Sequence, residues 1–230
     1  MKQLYQGKTK DVYKLPDGNY MLLFKDAATG VNGVFDPGAN QVGLTIEGKG
    51  KAGLKLTDFF FKKINEAGYP THFISCDVER AQMVVKPAMM FGAMFGNGIE
   101  VICRYKAFGS FIRRYGQYVE EGTPLDALVE ITLKDDERGD PLITKDALIA
   151  LNIMTEDEYY ELVNLTKRIV SVIKNLYAEK GLELLDIKLE FGRDQNNQIM
   201  LIDEVSGDVM RVCKDGKSVC PLELTEIMTN

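Results

Sequence analysis

Charged side chains late in the chain follow a pattern that could hold a metal ion. Asp186, Lys188 and Glu190 alternate with apolar residues, so a β-strand would present all three on one face. The polar stretch 192–198 predicts a turn that folds the next apolar run back alongside and brings Asp203 opposite Lys188 or Glu190, depending on register. Carboxylate oxygens gathered in this way suit Mg²⁺ that carries nucleotide phosphates. The same alternation also fits the solvated face of an amphipathic hairpin.

Two lysines near the N-terminus follow a glycine, in the sequence GKTK at 7–10. A P-loop is excluded, because that motif needs a glycine five residues before Gly7, where Lys2 stands. What remains is a strand–glycine–strand unit in which Lys8 and Lys10 could supply positive charge to phosphates. Taken alone, these two residues fit ordinary surface lysines better.

Two further segments concentrate charge, one basic and one acidic. Between Arg104 and Arg114 the basic segment includes Gly109 and Ser110, which together with Arg104 could form an anion site from a guanidinium, a turn without a Cβ and a hydroxyl. A basic helix face is the alternative. The aspartates of the acidic segment, residues 134–143, could hold a metal or bind an amine, or could form an acidic surface loop that caps the next helix.

Composition narrows the classes of function. The 230 residues include 28 Lys and Arg against 34 Asp and Glu, and a net charge of −6 argues against a dedicated nucleic-acid binder. No apolar stretch is long enough to span a bilayer and the N-terminus lacks a secretory signal, so we expect a cytoplasmic protein without a membrane partner. The four cysteines form no C-x-x-C pair, which favours reduced, structural thiols. The one histidine, His72, favours a structural or substrate-contact role, which leaves the chemistry to lysines, arginines and carboxylates.

The pattern of elements predicts an α+β fold in two lobes, with a boundary near residues 86–90. The first lobe, residues 1–86, is β-rich, with a glycine-rich loop at 27–53 and a helix that ends before Gly68. The second lobe, residues 87–230, is larger and contains a long helix that begins with a capping box from Thr155 to Glu158. The hairpin that ends at Glu204 closes this lobe.

The order of these motifs along the chain is more specific than any one of them, and it resembles the phosphoribosylaminoimidazole-succinocarboxamide synthase, or SAICAR synthetase, family. The matching stretches cover nearly the whole chain: YQGKTKDVY at 5–13, KDAATGVNG at 25–33, GKG at 48–50, GYPTHFI at 68–74, EVICRYKAFGSFIRRYG at 100–116, KDDERGDPLI at 134–143, DIKLEFG at 186–192 and DEVSGDVMR at 203–211. The last two, taken together, are the most specific.

This resemblance implies an ADP-forming ligase of purine biosynthesis that joins L-aspartate to the carboxylate of carboxyaminoimidazole ribotide through an acyl phosphate. It implies a small lobe similar to a kinase N-lobe over a larger, ATP-grasp-like lobe. It further implies Mg²⁺ and ATP, a homodimer, and no partner beyond the small-molecule substrates. The implied residues are Lys8, Lys10 and Lys86 for the nucleotide, Glu190 and Asp203 for the metal, Arg104, Ser110 and Arg211 for the ribotide, and Lys188 and Asp186 at the reaction centre, Asp186 also as a ribotide contact.

Departures from the family pattern keep two alternatives open: a divergent paralogue that joins another carboxylate and amine, and a nucleotide-binding regulatory protein without turnover. Gly207 stands where the family usually has proline. Provided that the native φ is about −65° and that the amide of residue 207 makes no hydrogen bond, Gly207→Pro is therefore expected to order this loop and lower the KM for the ribotide. No closing helix is predicted in the residues that follow Glu204.

Overall fold

The computed structural model describes residues 1–31, 33–38, 41–93 and 98–230. Its α+β composition confirms the predicted class. The helices are α1 (Lys49–Glu66), α2 (Ser110–Tyr115), α3 (Lys145–Ala150), α4 (Glu156–Glu179) and α5 (Pro221–Thr229). The strands are β1 (Lys2–Gln6), β2 (Lys10–Lys14), β3 (Tyr20–Phe24), β4 (Ala27–Val31), β5 (Val34–Phe35), β6 (Val42–Thr45), β7 (Phe73–Asp77), β8 (Gln82–Val85), β9 (Met89–Met90), β10 (Ile99–Lys106), β11 (Pro124–Leu133), β12 (Glu183–Arg193), β13 (Ile199–Ile202), β14 (Met210–Lys214) and β15 (Lys217–Ser218).

The N-terminal part forms an antiparallel sheet in the order β1-β2-β3-β8-β7. The prediction of a loop over 27–53 is wrong where the structure describes it, because β4 pairs with β5 and β6, and α1 begins at Lys49; positions 32, 39 and 40 lie outside the described residues. The glycine content of this segment suggested a loop, but here glycine allows two strands to lie close together. A Cβ on Gly43 would lie 2.5 Å from the carbonyl carbon of Gly30, so the close approach of β4 and β6 needs glycine.

The second sheet is built around β12. The strand order is β11-β10-β12-β14-β15, while β13 and β9 pair with the C-terminal half of β12. Ile187, Leu189 and Phe191 are at most 1% exposed and join the core with α1 and α4. The alternation of β12 therefore buries its apolar face, as predicted, and leaves the charged side chains on the other.

Local signals set the helix ends. Thr155 and Glu158 form the predicted capping box at the start of α4, and Gly68, just after α1, has the left-handed φ of 85° that favours glycine. The sequence did not predict α5, which packs on α1, where Thr225 Oγ1 donates to the carbonyl of Ala52 at 3.2 Å. Within the described ranges, no helix combines the length and apolar character that crossing a membrane requires.

Candidate functional site

Two adjoining cavities bring the predicted site residues together. The larger, about 520 Å³, is lined by Lys8, Lys10, Lys86, Glu190 and Asp203; the smaller, about 310 Å³, is lined by Arg104, Ser110, Asp186 and Arg211. Lys188 lines both, as do Glu100 and Asp140. The charged face of β12 therefore lines two cavities and is not an ordinary solvated face.

Lys10 connects the N-terminal sheet to the segment that follows β13. Its Nζ donates to Asp203 Oδ2 at 2.9 Å and to Glu204, and Glu204 in turn accepts from the hydroxyl of Ser206. Burial tends to lower the pKa of Lys10, but the two carboxylates outweigh burial and hold this pKa well above its usual value. Lys10 is consequently a fixed positive charge in the wall of the larger cavity.

Asp203 reaches this cavity by a route that strand alternation did not predict. The pairing of β12 with β13 ends at Glu190 and Ile202, so Asp203 lies opposite neither Lys188 nor Glu190, and that prediction is wrong. Asp203 has a left-handed φ of 66°, which breaks the alternation at the end of β13. Although burial opposes ionisation, Lys10 and Lys134 keep the pKa of its carboxyl below the usual value.

Lys134 lines the larger cavity, although no local pattern in the sequence marks it as a site residue. Its Nζ donates to Glu190 Oε1 at 2.6 Å, and both residues line the larger cavity. Burial raises the pKa of Glu190 despite this lysine, and the neighbouring Asp203 adds to the effect. The sequence around Lys134 is marked by its aspartates, and no local feature distinguishes the lysine. Its partner, Glu190, lies 56 residues away in the chain.

Lys188 lies where the cavities meet. Its Nζ donates to Glu100 Oε1 at 2.8 Å, and Glu100 is only 5% exposed. The two carboxylate neighbours, Glu100 and Glu190, keep the pKa of Lys188 above its usual value even though burial works against the charge. Lys188 is thus a charged ammonium shared by both cavities.

Buried ion pairs organise the smaller cavity. Arg104 is 1% exposed, and its guanidinium donates to Glu130 at 2.7 Å, to Asp186 at 2.7 Å and to Ser110 Oγ at 2.8 Å. Arg211 donates to the same Asp186 carboxylate at 2.9 and 3.1 Å. The predicted group of an arginine, a glycine turn and a hydroxyl therefore exists. Arg104 is buried in the wall of the smaller cavity, whereas the side chains of Arg211 and Ser110 are partly accessible from it.

Two glycines make room for Arg211. A Cβ on Gly38 or on Gly109 would lie 2.6 or 2.7 Å from Nη2 of Arg211, and Gly109 also has a positive φ of 57°. Arg211 Nη2 in turn donates to Asp36 at 3.0 Å. The glycine turn predicted at 109 is therefore needed for a side chain about a hundred residues away, a requirement that sequence alone does not show.

The carboxylates of the acidic segment 134–143 make bonds within the segment and an ion pair with the N-terminal part. Asp135 caps a short 3₁₀ turn and pairs with Arg138, Asp140 accepts from the Asp135 amide at 2.7 Å, and Asp136 pairs with Lys8 at 2.6 Å. Among the described residues, no group of three or more histidine, cysteine or carboxylate side chains is arranged to hold a metal ion by itself. The four cysteines are free thiols, as the sequence predicted.

Asp208 and Lys49 form a buried pair beside Gly207. Lys49, 2% exposed, donates to Asp208 Oδ2, while burial raises the pKa of the Asp208 carboxyl to about 6. A Cβ at position 207 would lie 2.8 Å from Cα of Pro221. The expectation that Gly207→Pro would improve this loop is wrong, because the start of α5 occupies the space a larger residue needs.

Comparison with known proteins points to one family. The SAICAR synthetase family model matches residues 3–219. A phosphoribosylaminoimidazole-succinocarboxamide synthase of Clostridium tetani is 58% identical over 229 residues, which are 99% of each chain. The crystal structure of the Ehrlichia chaffeensis synthase superposes with a TM-score of 0.83 at 28% identity, covering 94% of this chain and 88% of that one. A SAICAR synthetase in complex with ADP superposes with a TM-score of 0.81 at 31% identity, covering 93% and 86%. The chain belongs to the SAICAR synthetase family.

Proposed function

We propose that this protein is the ADP-forming ligase that joins L-aspartate to carboxyaminoimidazole ribotide in purine biosynthesis. The observation that carries this proposal is the pair of adjoining cavities with Lys188 between them. One cavity offers lysines and carboxylates for a nucleotide with its metal, and the other offers arginine and hydroxyl donors for a sugar phosphate. The related structure in complex with ADP supports the use of an adenine nucleotide.

The reaction requires two displacements. The ribotide carboxylate attacks the γ-phosphorus of ATP, the bond to the bridging oxygen breaks, and ADP leaves. The amine of aspartate then attacks the acyl carbon, loses a proton and expels phosphate to form the amide. Because the phosphoryl group passes from one cavity to the other, an ammonium at their junction meets the charge that develops, and Lys188 is the group so placed.

We assign the nucleotide phosphates to Lys8 and Lys10, and a place in the wall of the nucleotide cavity to Lys86, which lies directly after β8. In the ribotide cavity we assign direct contact to Ser110 and Arg211. Arg104 and Asp186 are 1% and 3% exposed and are bonded to each other, so we give both a positioning role in place of direct contact.

Glu190 and Asp203 fit Mg²⁺ through the chemistry of their donors. Each carboxylate gives one oxygen to a lysine, which leaves Oε2 of Glu190 and Oδ1 of Asp203 outside those bonds. Magnesium typically takes one or two protein carboxylates and completes its shell with phosphate oxygens and water. When bound, the ion would neutralise charge on the transferred phosphate.

We further propose two lobes that meet along the larger cavity, residues 1–86 resembling a kinase N-lobe and residues 87–230 an ATP-grasp protein. The cavity is lined from both sides, by β1–β3 and β8 on one and by β12 and β13 on the other. The homodimer is carried over from the family resemblance, and the cytoplasmic location is the one expected from the sequence. Light scattering of the purified protein tests the first, and cell fractionation tests the second.

A coupled ADP-release assay with the ribotide and L-aspartate tests the activity. Glu190→Gln and Asp203→Asn should each lower Mg·ATP turnover by about 100-fold or more, because each removes one anionic ligand. Glu183→Gln is the matched control, since Glu183 lies on the same strand, is half-exposed and pairs with Lys106 away from the catalytic groups.

Two results would redirect the assignment. If another ribotide and amino acid support ADP release while this pair does not, the protein is the paralogue. Nucleotide binding without turnover on any pair would identify the regulatory protein. Near wild-type rates in both metal-site variants would refute the placement of Mg²⁺.

A further inference from the structure

The single histidine lies where the N-terminal sheet meets the β12–β13 hairpin. The backbone amide of His72 donates to the carbonyl of Leu201 at 3.0 Å, and its carbonyl accepts from the amide of Lys86 at 2.7 Å. On the other side of this contact, the Leu201 amide donates to the carbonyl of Pro70 at 3.0 Å. The backbone of residues 70–72 thus extends the pairing of β13 in parallel orientation and fixes His72 against it.

The imidazole has one polar contact along the same hairpin. Its Nε2 lies 3.3 Å from the backbone carbonyl oxygen of Asp203. A carbonyl oxygen only accepts, so this contact requires the hydrogen on Nε2. The ring is 4% exposed and packs edge-on against Phe61, with centroids 5.5 Å apart, so it has little freedom to turn.

The carbonyl that receives this bond belongs to a residue in an uncommon backbone conformation. Asp203 has a φ of 66°, which a non-glycine residue adopts at some cost unless its surroundings hold it there. That conformation separates Asp203 from the alternation of β13 and leaves its carboxylate in the larger cavity beside Glu190.

We infer that His72 is a positioning residue for the metal-binding carboxylate: its Nε2–H holds the Asp203 carbonyl and so fixes where the Asp203 carboxylate points. This inference rests on the proposed function, in which Asp203 binds Mg²⁺. A hydrogen bond that orients a metal ligand typically changes metal affinity 10- to 100-fold when it is lost. His72 also joins this carboxylate to Lys86, at the entry from β8 into the second part of the chain.

Calorimetric titration with ADP, with and without Mg²⁺, tests the inference. The ratio of the two dissociation constants measures what the metal contributes. His72→Met fills the same space without a donor and should reduce this ratio about tenfold or more, while the Kd for metal-free ADP changes little. His72→Gln returns an N–H donor at a similar reach and should retain the ratio. A merely structural role would shift the Kd with and without metal alike.

The controls separate the two proposals. If Asp203→Asn loses the metal contribution but His72→Met keeps it, the role of His72 is refuted and the metal site stands. If Asp203→Asn also keeps it, the metal site and the inference both fail. If a variant does not fold, ¹⁵N NMR of the wild-type protein tests the inference instead. The chain has one histidine, so its imidazole ¹⁵N signals are assigned without ambiguity. They should show the Nε2–H tautomer, and the Nδ1–H tautomer would overturn the inference.

Discussion

Arg104→Met tests whether the smaller cavity depends on a buried cation. Methionine keeps much of the side-chain volume and removes the guanidinium, which is 1% exposed and bonded to Glu130, Asp186 and Ser110. Removing one partner from a buried ion pair costs about 3–5 kcal/mol, because the remaining charge stays buried without compensation.

The structure indicates the lower end of that range. Glu130 also accepts from Arg114 at 2.7 and 2.8 Å, and Asp186 also accepts from Arg211. Neither carboxylate is therefore left alone when Arg104 is removed. We expect a loss of about 3 kcal/mol in the free energy of unfolding, or about 6–12 °C in Tm for a chain of this size.

Urea unfolding followed by far-UV circular dichroism measures this loss; the chain has no tryptophan to report it by fluorescence. Arg114→Met is the matched control, because Arg114 shares Glu130 but is partly exposed, and its loss should cost less than about 1 kcal/mol. In kinetics, Arg104→Met should raise the KM for the ribotide more than the KM for ATP. An Arg104→Met protein as stable as the wild type, or one with a defect confined to ATP, would refute this account.

Two further predictions concern the segment before α5. Gly207→Ala should destabilise the fold by about 1–3 kcal/mol, because its Cβ would lie 2.8 Å from Cα of Pro221. Gly53→Ala is the control: its Cβ would make only ordinary contacts, so this variant should be neutral or stabilising. Thermal unfolding of both variants tests the prediction. The pKa of Asp208, about 6 in the folded chain against about 4 unfolded, means that the folded state binds the extra proton between these values. The free energy of unfolding of the wild type, relative to that of Asp208→Asn, should therefore fall by up to about 3 kcal/mol as pH rises from about 4 to 6. If this difference in unfolding free energy rises or stays constant over that range, the raised pKa of Asp208 is not its cause.

Features that depend on neighbours in sequence could be predicted from the sequence. The period-two pattern of β12 identified both its buried and its charged face, and the capping box at Thr155 identified the start of α4. The predicted site residues also share two adjoining cavities, although that prediction drew on the order of motifs along the whole chain as well as on local pattern.

Other features depend on contacts between distant residues and could not be predicted from local sequence. The strands β4 and β6 approach so closely that only glycine fits, and a glycine-rich composition otherwise indicates a loop. Lys134 becomes a site residue only because β11 ends beside Glu190. Asp203 departs from the expected register through a single positive φ, which alternation cannot anticipate.

The buried charges of the segment 203–208 are better explained by function than by stability. Lys10 pairs with Asp203 and Glu204, and Lys49 pairs with Asp208, so both lysines come from the first 50 residues of the chain. Well-packed apolar residues often stabilise a fold as much as or more than such pairs, because desolvation offsets most of the attraction between the charges. What apolar residues could not do is hold carboxylates at fixed positions at the wall of a cavity where phosphate and metal charges are expected. Because the lysines belong to the N-terminal part and the carboxylates to the part that follows β13, the site is complete only when the two have packed together.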